Sequence, residues 1–455
     1  MNEKIVLIGA GSAMFTRGLV ADLIQRKWDV ELALVDIDPE ALAVAEGLTR
    51  KMCQRAGSKM KVSGSTNRRD VLRGATAVIC TVGVGGRRGW EKDVFIPRKY
   101  GIFQPVGDSV NVGGTSRSLR MIPAMVDVAR DVQELAPSAL FFNYGNPMAT
   151  TCRGVRKATG ANIVGLCHGV NHIGQVLAKE LDASPENLNY TAVGINHLTW
   201  FTEVRVRGVD AMPRLKEIAA KRVKARLAKE HDHGAKFAEA GNAGAAHVDQ
   251  QPVSWAFMHL FGAYPAVGDR HITEFFPQLF GDGSYYGKKL GVDAYSFEQT
   301  IHWGDKIYAE MKKEALSPEP LSEDYMSRFG GEHEQVTDII ESIRKSDGKV
   351  YSVNLPNHGQ VPNLPEDAVI ECPAIADGGR LKPLQQAPLD PALVGTLATR
   401  LAWVETTVEA ALSGSRDRFV QALILDGAVK SIDEAYKLAD ELIEAHRPDL
   451  PQFRK

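Results

Sequence analysis

An α/β fold led by a parallel sheet is predicted for this 455-residue chain, and three observations predict it. In the first third, short β-rich runs alternate with helical patterns: KIVLIGAG (4–11), ELALVDID (31–38), TAVICTVG (76–83), ALFFNYGNP (139–147) and ANIVGLC (161–167). That rhythm is the signature of parallel strands joined by crossover helices. Between the third and fourth runs, MIPAMVDVARDVQELAP places Ile122, Met125, Val126, Ala129, Val132 and Leu135 at helical spacing, a face that packs on a sheet. After about residue 190 the rhythm gives way to longer mixed segments, which marks a second unit.

The second unit opens on NYTAVGINHLTWFTEVRV, which alternates like an exposed-edge or antiparallel strand. A Lys/Arg-rich helical stretch follows at 214–230 and reads as a solvated face. A Gly/Ala/His loop at 231–247 begins with HDH (231–233), a metal-like triplet more simply read as a solvent-exposed turn. Pro391 to Leu412 reads as a core helix and DEAYKLADELIEAH (433–446) as another. The chain has no internal repeat, low-complexity tract or obvious linker, so two firmly docked domains are expected, 1–190 and 191–455.

Lys and Arg total 54 against 56 Asp and Glu, a net charge of −2, so no global field recruits nucleic acid or an acidic membrane. No apolar run approaches the ~20 residues that cross a bilayer. The N-terminus enters a strand pattern without the basic, apolar and small-residue succession of a signal peptide. The five cysteines form no CxxC framework and are odd in number, which points to a reducing, cytoplasmic setting. Recognition is therefore expected in local pockets, of a small molecule.

Gly9, Gly11 and Ser12 follow a strand and precede a helix, where glycines let backbone N–H groups approach a pyrophosphate. Asp36 ends the second strand, 25 residues beyond Gly11, and can accept hydrogen bonds from an adenosine ribose. Together they predict a Rossmann-type domain that binds NAD; an acid at the ribose disfavours NADP. Met14 stands where a third glycine is usual, so a turn serving only the fold is the alternative.

Cys167 ends the fifth run, and ligands of parallel sheets bind outside the carboxyl ends of the strands. His197 lies 30 residues on, in GINHLTW, close enough for a sheet to bring it beside the thiol. A thiolate and an imidazole make half a coordination sphere and leave positions open for substrate oxygens. A buried, inert cysteine is the alternative. A hydroxyacid or polyol dehydrogenase and a non-enzymatic NAD sensor would share the nucleotide motif without needing the Cys/His pair.

The motifs GAGSAMFTRGL, LVDIDPEAL, VGDSVNVGGTSRSLRMIP, NYGNPMATTC, GLCHGV, GINHLTWF, GDRHITEFFP and NLPNHGQVPNLP, taken together, resemble glycoside hydrolase family 4, the NAD- and divalent-metal-dependent glycosidases. The resemblance runs through nearly the whole chain. It implies an N-terminal Rossmann-type sheet and a C-terminal α+β domain similar to the lactate/malate dehydrogenase superfamily, used for substrate and metal binding and for assembly into homodimers or homotetramers. It makes Cys167 and His197 ligands of a metal, usually Mn2+, and Asn146 a holder of substrate hydroxyls. Asp108 falls where the family places its general acid and Asp269 where its α-glycosidase members place the base, with Tyr264 in reserve; loop capping is the alternative for both aspartates.

In the implied chemistry NAD takes hydride from C3 of the sugar, the ketone acidifies the C2 proton, and the C1 group leaves by elimination. Water then adds and the hydride returns, so no net oxidation results; this family is an exception to the two-carboxylate rule. One departure is the run Val110, Asn111, Val112, Gly113, Gly114, where many members have Gly-Pro-Gly-Gly; Asn111 becomes a candidate substrate contact. Of Arg117 and Arg120, one can face the sugar while a core salt bridge is the alternative for each. The Cys-His-Gly triplet at 167–169 resembles members acting on unphosphorylated α-glucosides, whereas GDRHITEF resembles those taking α-linked uronic acids, with Arg270 pairing a carboxylate. The expectation is an α-glucosidase or α-galactosidase of neutral hexosides, with an α-glucuronidase or α-galacturonidase as the alternative. His168, His172 and His271 are candidates for lining the pocket.

Overall fold

The computed structural model describes residues 1–230, 251–329 and 335–454. Its N-terminal half runs β1 (Asn2–Ile8), α1 (Thr16–Arg26), β2 (Asp29–Val35), α2 (Pro39–Ala56), β3 (Lys61–Ser65), β4 (Ala77–Cys80), α3 (Gly86–Arg98), α4 (Asn111–Leu135), β5 (Leu140–Asn143), α5 (Met148–Thr159), β6 (Ile163–Gly165) and α6 (Gly169–Glu180). The strands pair in parallel in the order β3-β2-β1-β4-β5-β6, the Rossmann arrangement. Strands covered on both faces read as continuous apolar runs, as in β4, where all four residues are buried. β3, KVSGS, sits at the sheet edge with no fully buried residue, so its sequence carries no apolar signal.

The expected face of α4 is confirmed: Ile122, Met125, Val126, Ala129, Val132 and Leu135 are all buried. Asp38 caps α2 through Glu40 N and Ala41 N, and Gly57 closes it in the left-handed region.

The segment read as one alternating strand is instead a hairpin, β7 (Leu188–Ile195) and β8 (Leu198–Val206), with Asn196 and His197 as its two-residue tip. Tips of this kind usually hold glycine, because a left-handed φ is needed; here His197 adopts φ 64°. The basic stretch lies on α7 (Met212–Glu230), where Leu215 and Ala219 are buried while Arg214 and Arg222 pair with Asp182 and Glu180, a solvated face as expected. HDH 231–233 falls outside the described residues.

The sheet does not stop at the expected boundary. β6 pairs with strand 350–356 through Gly165 and Asn354, that strand pairs with 369–377, and the latter pairs with β7 through Glu371 and Gly194. One sheet of 13 strands results among the described residues, parallel in its first half and antiparallel in its second. β7 itself straddles residue 190. The two expected C-terminal helices span Pro391–Ser413 and Ile432–Ala445; the first binds α4 through Trp403 Nε1 to Thr115 Oγ1 (2.9 Å). Among the described residues no helix is long and apolar enough to cross a membrane.

Candidate active site at the carboxyl edge of the sheet

The turn after β1 has the form a dinucleotide needs. Gly9 takes φ 89°, and a Cβ there would meet the Thr81 carbonyl carbon at 2.8 Å. Gly11 N–H donates to Asp36 Oδ2 at 2.8 Å, and a Cβ on Gly11 would fall 2.9 Å from that oxygen. Asp36, after β2, also accepts from Asp38 N at 3.0 Å. With two backbone donors on a carboxylate that has about four acceptor positions, lone pairs remain for a ribose diol. Ser12 Oγ accepts from Phe15 N, closing the approach to α1.

On the same edge, four loops bring the predicted metal and proton-transfer residues together. Cys167 follows β6 and stands two residues before α6; Gly169 N donates to its Sγ at 3.3 Å, so backbone dipoles favour the thiolate. Cys167 Sγ lies 3.5 Å from His197 Nε2. On the other side of that ring, Nδ1 is 2.8 Å from Ser109 Oγ, which in turn donates to Asp108 Oδ1 at 2.7 Å. One hydroxyl has one proton: since it is given to Asp108, His197 Nδ1 must be the donor and Nε2 the lone pair facing Cys167. Asn146, after β5, donates from Nδ2 to Asp108 Oδ2 at 3.0 Å. None of the five cysteines is in a disulfide.

Electrostatics follow from this packing. Burial would raise the Asp108 pKa, but His271, His197 and Arg117 outweigh it and hold the group below the usual carboxylate range. Burial lowers the His197 pKa against the pull of Asp108, which favours the neutral, ligating form of the ring. Cys167 and His197 thus offer a soft sulfur and a nitrogen donor beside the Asp108 carboxylate, a pair that fits a divalent transition metal. Arg117 faces the site, its Nε donating to Asn146 O at 3.0 Å, whereas Arg120 is a core residue in a two-pronged pair with buried Asp93.

The structure does not bring Asp269 to this cluster. Its Oδ1 accepts from Ser254 N (2.8 Å) and Ser254 Oγ (2.7 Å), and its Oδ2 from Val253 N (2.9 Å) and Tyr285 OH (2.7 Å). These donors fill the carboxylate and fasten the N-terminus of α8 (Pro252–Phe261) to the start of α9 (Asp269–Ile272). Tyr264 is likewise in the core, edge-on to Trp255 at 4.9 Å between centroids, and burial raises its pKa, so the phenol is held protonated there. Asn111 spends Oδ1 on Val112 N at 2.7 Å. His168 and His172 are exposed around the N-terminal turn of α6.

Two neighbours on α9 do reach the site. The Arg270 Nη2 donates to Thr300 Oγ1 at 2.8 Å and its Nε is buried without a partner; no carboxylate pairs with it among the described residues. The His271 ring stands 4.4 Å from that of His197, centroid to centroid. Sequence reasoning missed Glu274, whose Oε1 accepts from Val106 N (2.7 Å) and Gly107 N (2.8 Å) and so holds the Asp108 loop. Burial pushes its pKa up to about 8. A buried acid inside the apolar run around ITEFF was the only available signal.

The family 4 glycosyl hydrolase model matches residues 4–183, and the model of that family's C-terminal domain matches 192–429. The chain is 30% identical to an α-galactosidase of Rhizobium meliloti (strain 1021), covering 99% of this chain and 89% of that one. It is 31% identical to an α-glucosidase of Erwinia rhapontici, covering 98% and 99%. A solved 6-phospho-α-glucosidase from gut microorganisms, in complex with NAD and Mn2+, shares the fold over 100% of both chains with a TM-score of 0.80 at 18% identity. Two family models that follow each other along one continuous sheet leave a single reading: the chain belongs to family 4 of the glycosyl hydrolases.

Proposed function

We propose that this glycosidase cleaves unphosphorylated α-hexosides of the gluco or galacto type, with NAD as a recycled redox cofactor and a divalent metal, Mn2+ first, at Cys167 and His197. The observation that carries the reading is the 3.5 Å approach of Cys167 Sγ to His197 Nε2, beside the Asp108 carboxylate and on the same sheet edge as the glycine turn. The names of the α-galactosidase and α-glucosidase relatives support the sugar class, and the NAD and Mn2+ of the solved relative support the cofactors.

When bound, NAD supplies a reversible hydride acceptor for a sugar hydroxyl and the metal a Lewis acid for the sugar oxygens. The chain's residues do the rest. Gly9 to Ser12 admit the pyrophosphate and Asp36 takes the ribose. Asn146 and Arg117 orient the sugar against Asp108. Asp108 rests as a carboxylate, so it serves as acid at the leaving oxygen only after taking up a proton; Ser109 and Asn146 donate to its two oxygens and hold it in place. Asp269 anchors the segment that presents Arg270 and His271.

A second reading, an α-linked uronic acid as substrate, is favoured by Arg270 and by the names of α-galacturonidase relatives at 28% and 30% identity. A largely desolvated guanidinium with one hydroxyl partner and no carboxylate is costly unless a ligand supplies the anion. A panel of aryl α-glycosides, gluco, galacto and uronic, assayed with NAD and Mn2+, tests both readings. Turnover of a neutral hexoside supports the first, turnover confined to uronides the second, and no turnover on any of them removes both.

A further inference from the structure

His271 is the one member of the cluster with no role in the reading above. Its Nδ1 is buried and has no hydrogen-bond partner, a rare condition that calls for a ligand. The ligand atoms of Asp108, His197 and His271 lie within 4.8 Å of one another. Donors bound to one transition metal at ~2.1 Å sit roughly 3 to 4 Å apart, so small rotations can bring the His197 and His271 imidazoles onto one ion, and Cys167 Sγ already stands 3.5 Å from His197 Nε2. The tilt of 54° between the two imidazole planes suits convergence on a shared point better than stacking.

The backbone also delivers His271 firmly. α9 is only four residues long, yet its first residue is locked by three donors at the start of α8 and by Tyr285 OH, and its second binds Thr300. The third residue, His271, is therefore presented to the cluster by an anchored turn and not by a free loop.

We propose that His271 is a third protein ligand of the metal site, beside Cys167 and His197. This rests on the proposed metal site at Cys167 and His197 and extends it. A second imidazole adds a nitrogen donor, and affinity at such donors rises from Mn2+ to Co2+ and Ni2+. The site therefore favours Co2+ and Ni2+ over Mn2+ by a wider margin than a Cys/His pair would.

The test is metal binding by the full-length protein without substrate, using Mn2+ and Co2+ as probes in titration calorimetry and the visible spectrum of the Co2+ form. His271→Ala is expected to weaken both metals at least tenfold and to shift the Co2+ ligand-field bands. The thiolate-to-cobalt charge-transfer band should remain, because Cys167 is still bound, and added imidazole should restore the bands. His271→Asn, which keeps a polar side chain, guards against misfolding and should behave alike, with NAD affinity and melting temperature reporting the fold. His259→Ala, on an exposed turn of α8, should leave metal binding unchanged. Wild-type affinity and spectrum in both His271 variants, with binding lost in Cys167→Ser, would overturn the third ligand and leave the Cys/His site standing. Unchanged binding in Cys167→Ser and His197→Ala as well would overturn the metal site itself.

Discussion

Ser109 Oγ lies 2.8 Å from His197 Nδ1, and because the same hydroxyl donates to Asp108, it decides which nitrogen of His197 carries the proton. Outer groups that fix a ligand's tautomer are worth about 10- to 100-fold in metal affinity or activity. Ser109→Ala should therefore cost about that much in Mn2+ affinity, measured by calorimetry, while Ser109→Thr recovers most of it. Equal affinity in Ser109→Ala and the native protein would mean that the hydroxyl sets nothing.

The cofactor cycle is the second expectation. Hydrolysis should require NAD yet accumulate no NADH absorbance, since the hydride taken from the sugar is returned to it. Stoichiometric NADH release would instead identify a dehydrogenase.

Product formed in heavy water should carry deuterium at C2 of the released sugar, because a base that removes the C2 proton exchanges it with solvent before water adds. NMR of the product decides this; retained protium at C2 would point to direct displacement at C1.

Asp269→Asn is expected to act first on stability. It replaces one acceptor oxygen by an amide facing buried donors, and an unsatisfied buried donor costs about 1–3 kcal/mol. A lowered melting temperature, with loss of activity in proportion to disturbance of the Arg270 and His271 turn, is the expected outcome. An unchanged melting curve with activity reduced by orders of magnitude would restore Asp269 as a direct base.

Glu274 makes the fold sensitive to pH. Its folded pKa, about 8, lies above that of an unfolded glutamate, so between pH ~4.5 and 8 the unfolded chain binds fewer protons and stability falls as pH rises. The slope from this group is at most about 1.4 kcal/mol per pH unit. Glu274→Gln, which keeps the acceptor for Val106 N and Gly107 N, should flatten that slope in denaturant titrations at several pH values. An identical slope in the variant would place the titrating group elsewhere.

Much of this was legible in the sequence. Apolar runs located β1, β2, β4, β5 and β6, and the glycine turn with Asp36 located the nucleotide edge, because burial on two faces and tight turns both write themselves into residue type. β3 escaped because an edge strand of polar residues has no such mark. The Asn196–His197 tip escaped because neither residue is glycine or proline, so an unusual φ was concealed inside an alternating pattern. At the site, Cys167, His197, Asp108 and Asn146 meet as expected. Asp269 does not join them, since a sequence cannot tell whether a carboxylate in a GDRH turn faces outward or back onto the helix before it. The roles of Glu274 and His271 depend on which backbone amides and rings the folded chain places beside them, and spacing says nothing of that.

The union of β6 with strand 350–356, and of strand 369–377 with β7, has a practical consequence for anyone cutting the gene. A fragment ending near residue 190 would keep the nucleotide turn and Cys167 but lose the strand that covers β6, and it would sever β7 midway. The exposed β6 edge would then present a row of unpaired amides and carbonyls, a template for sticking to other copies. Such a fragment is expected to precipitate on expression, so chimeras within this fold should exchange loops and leave the halves joined.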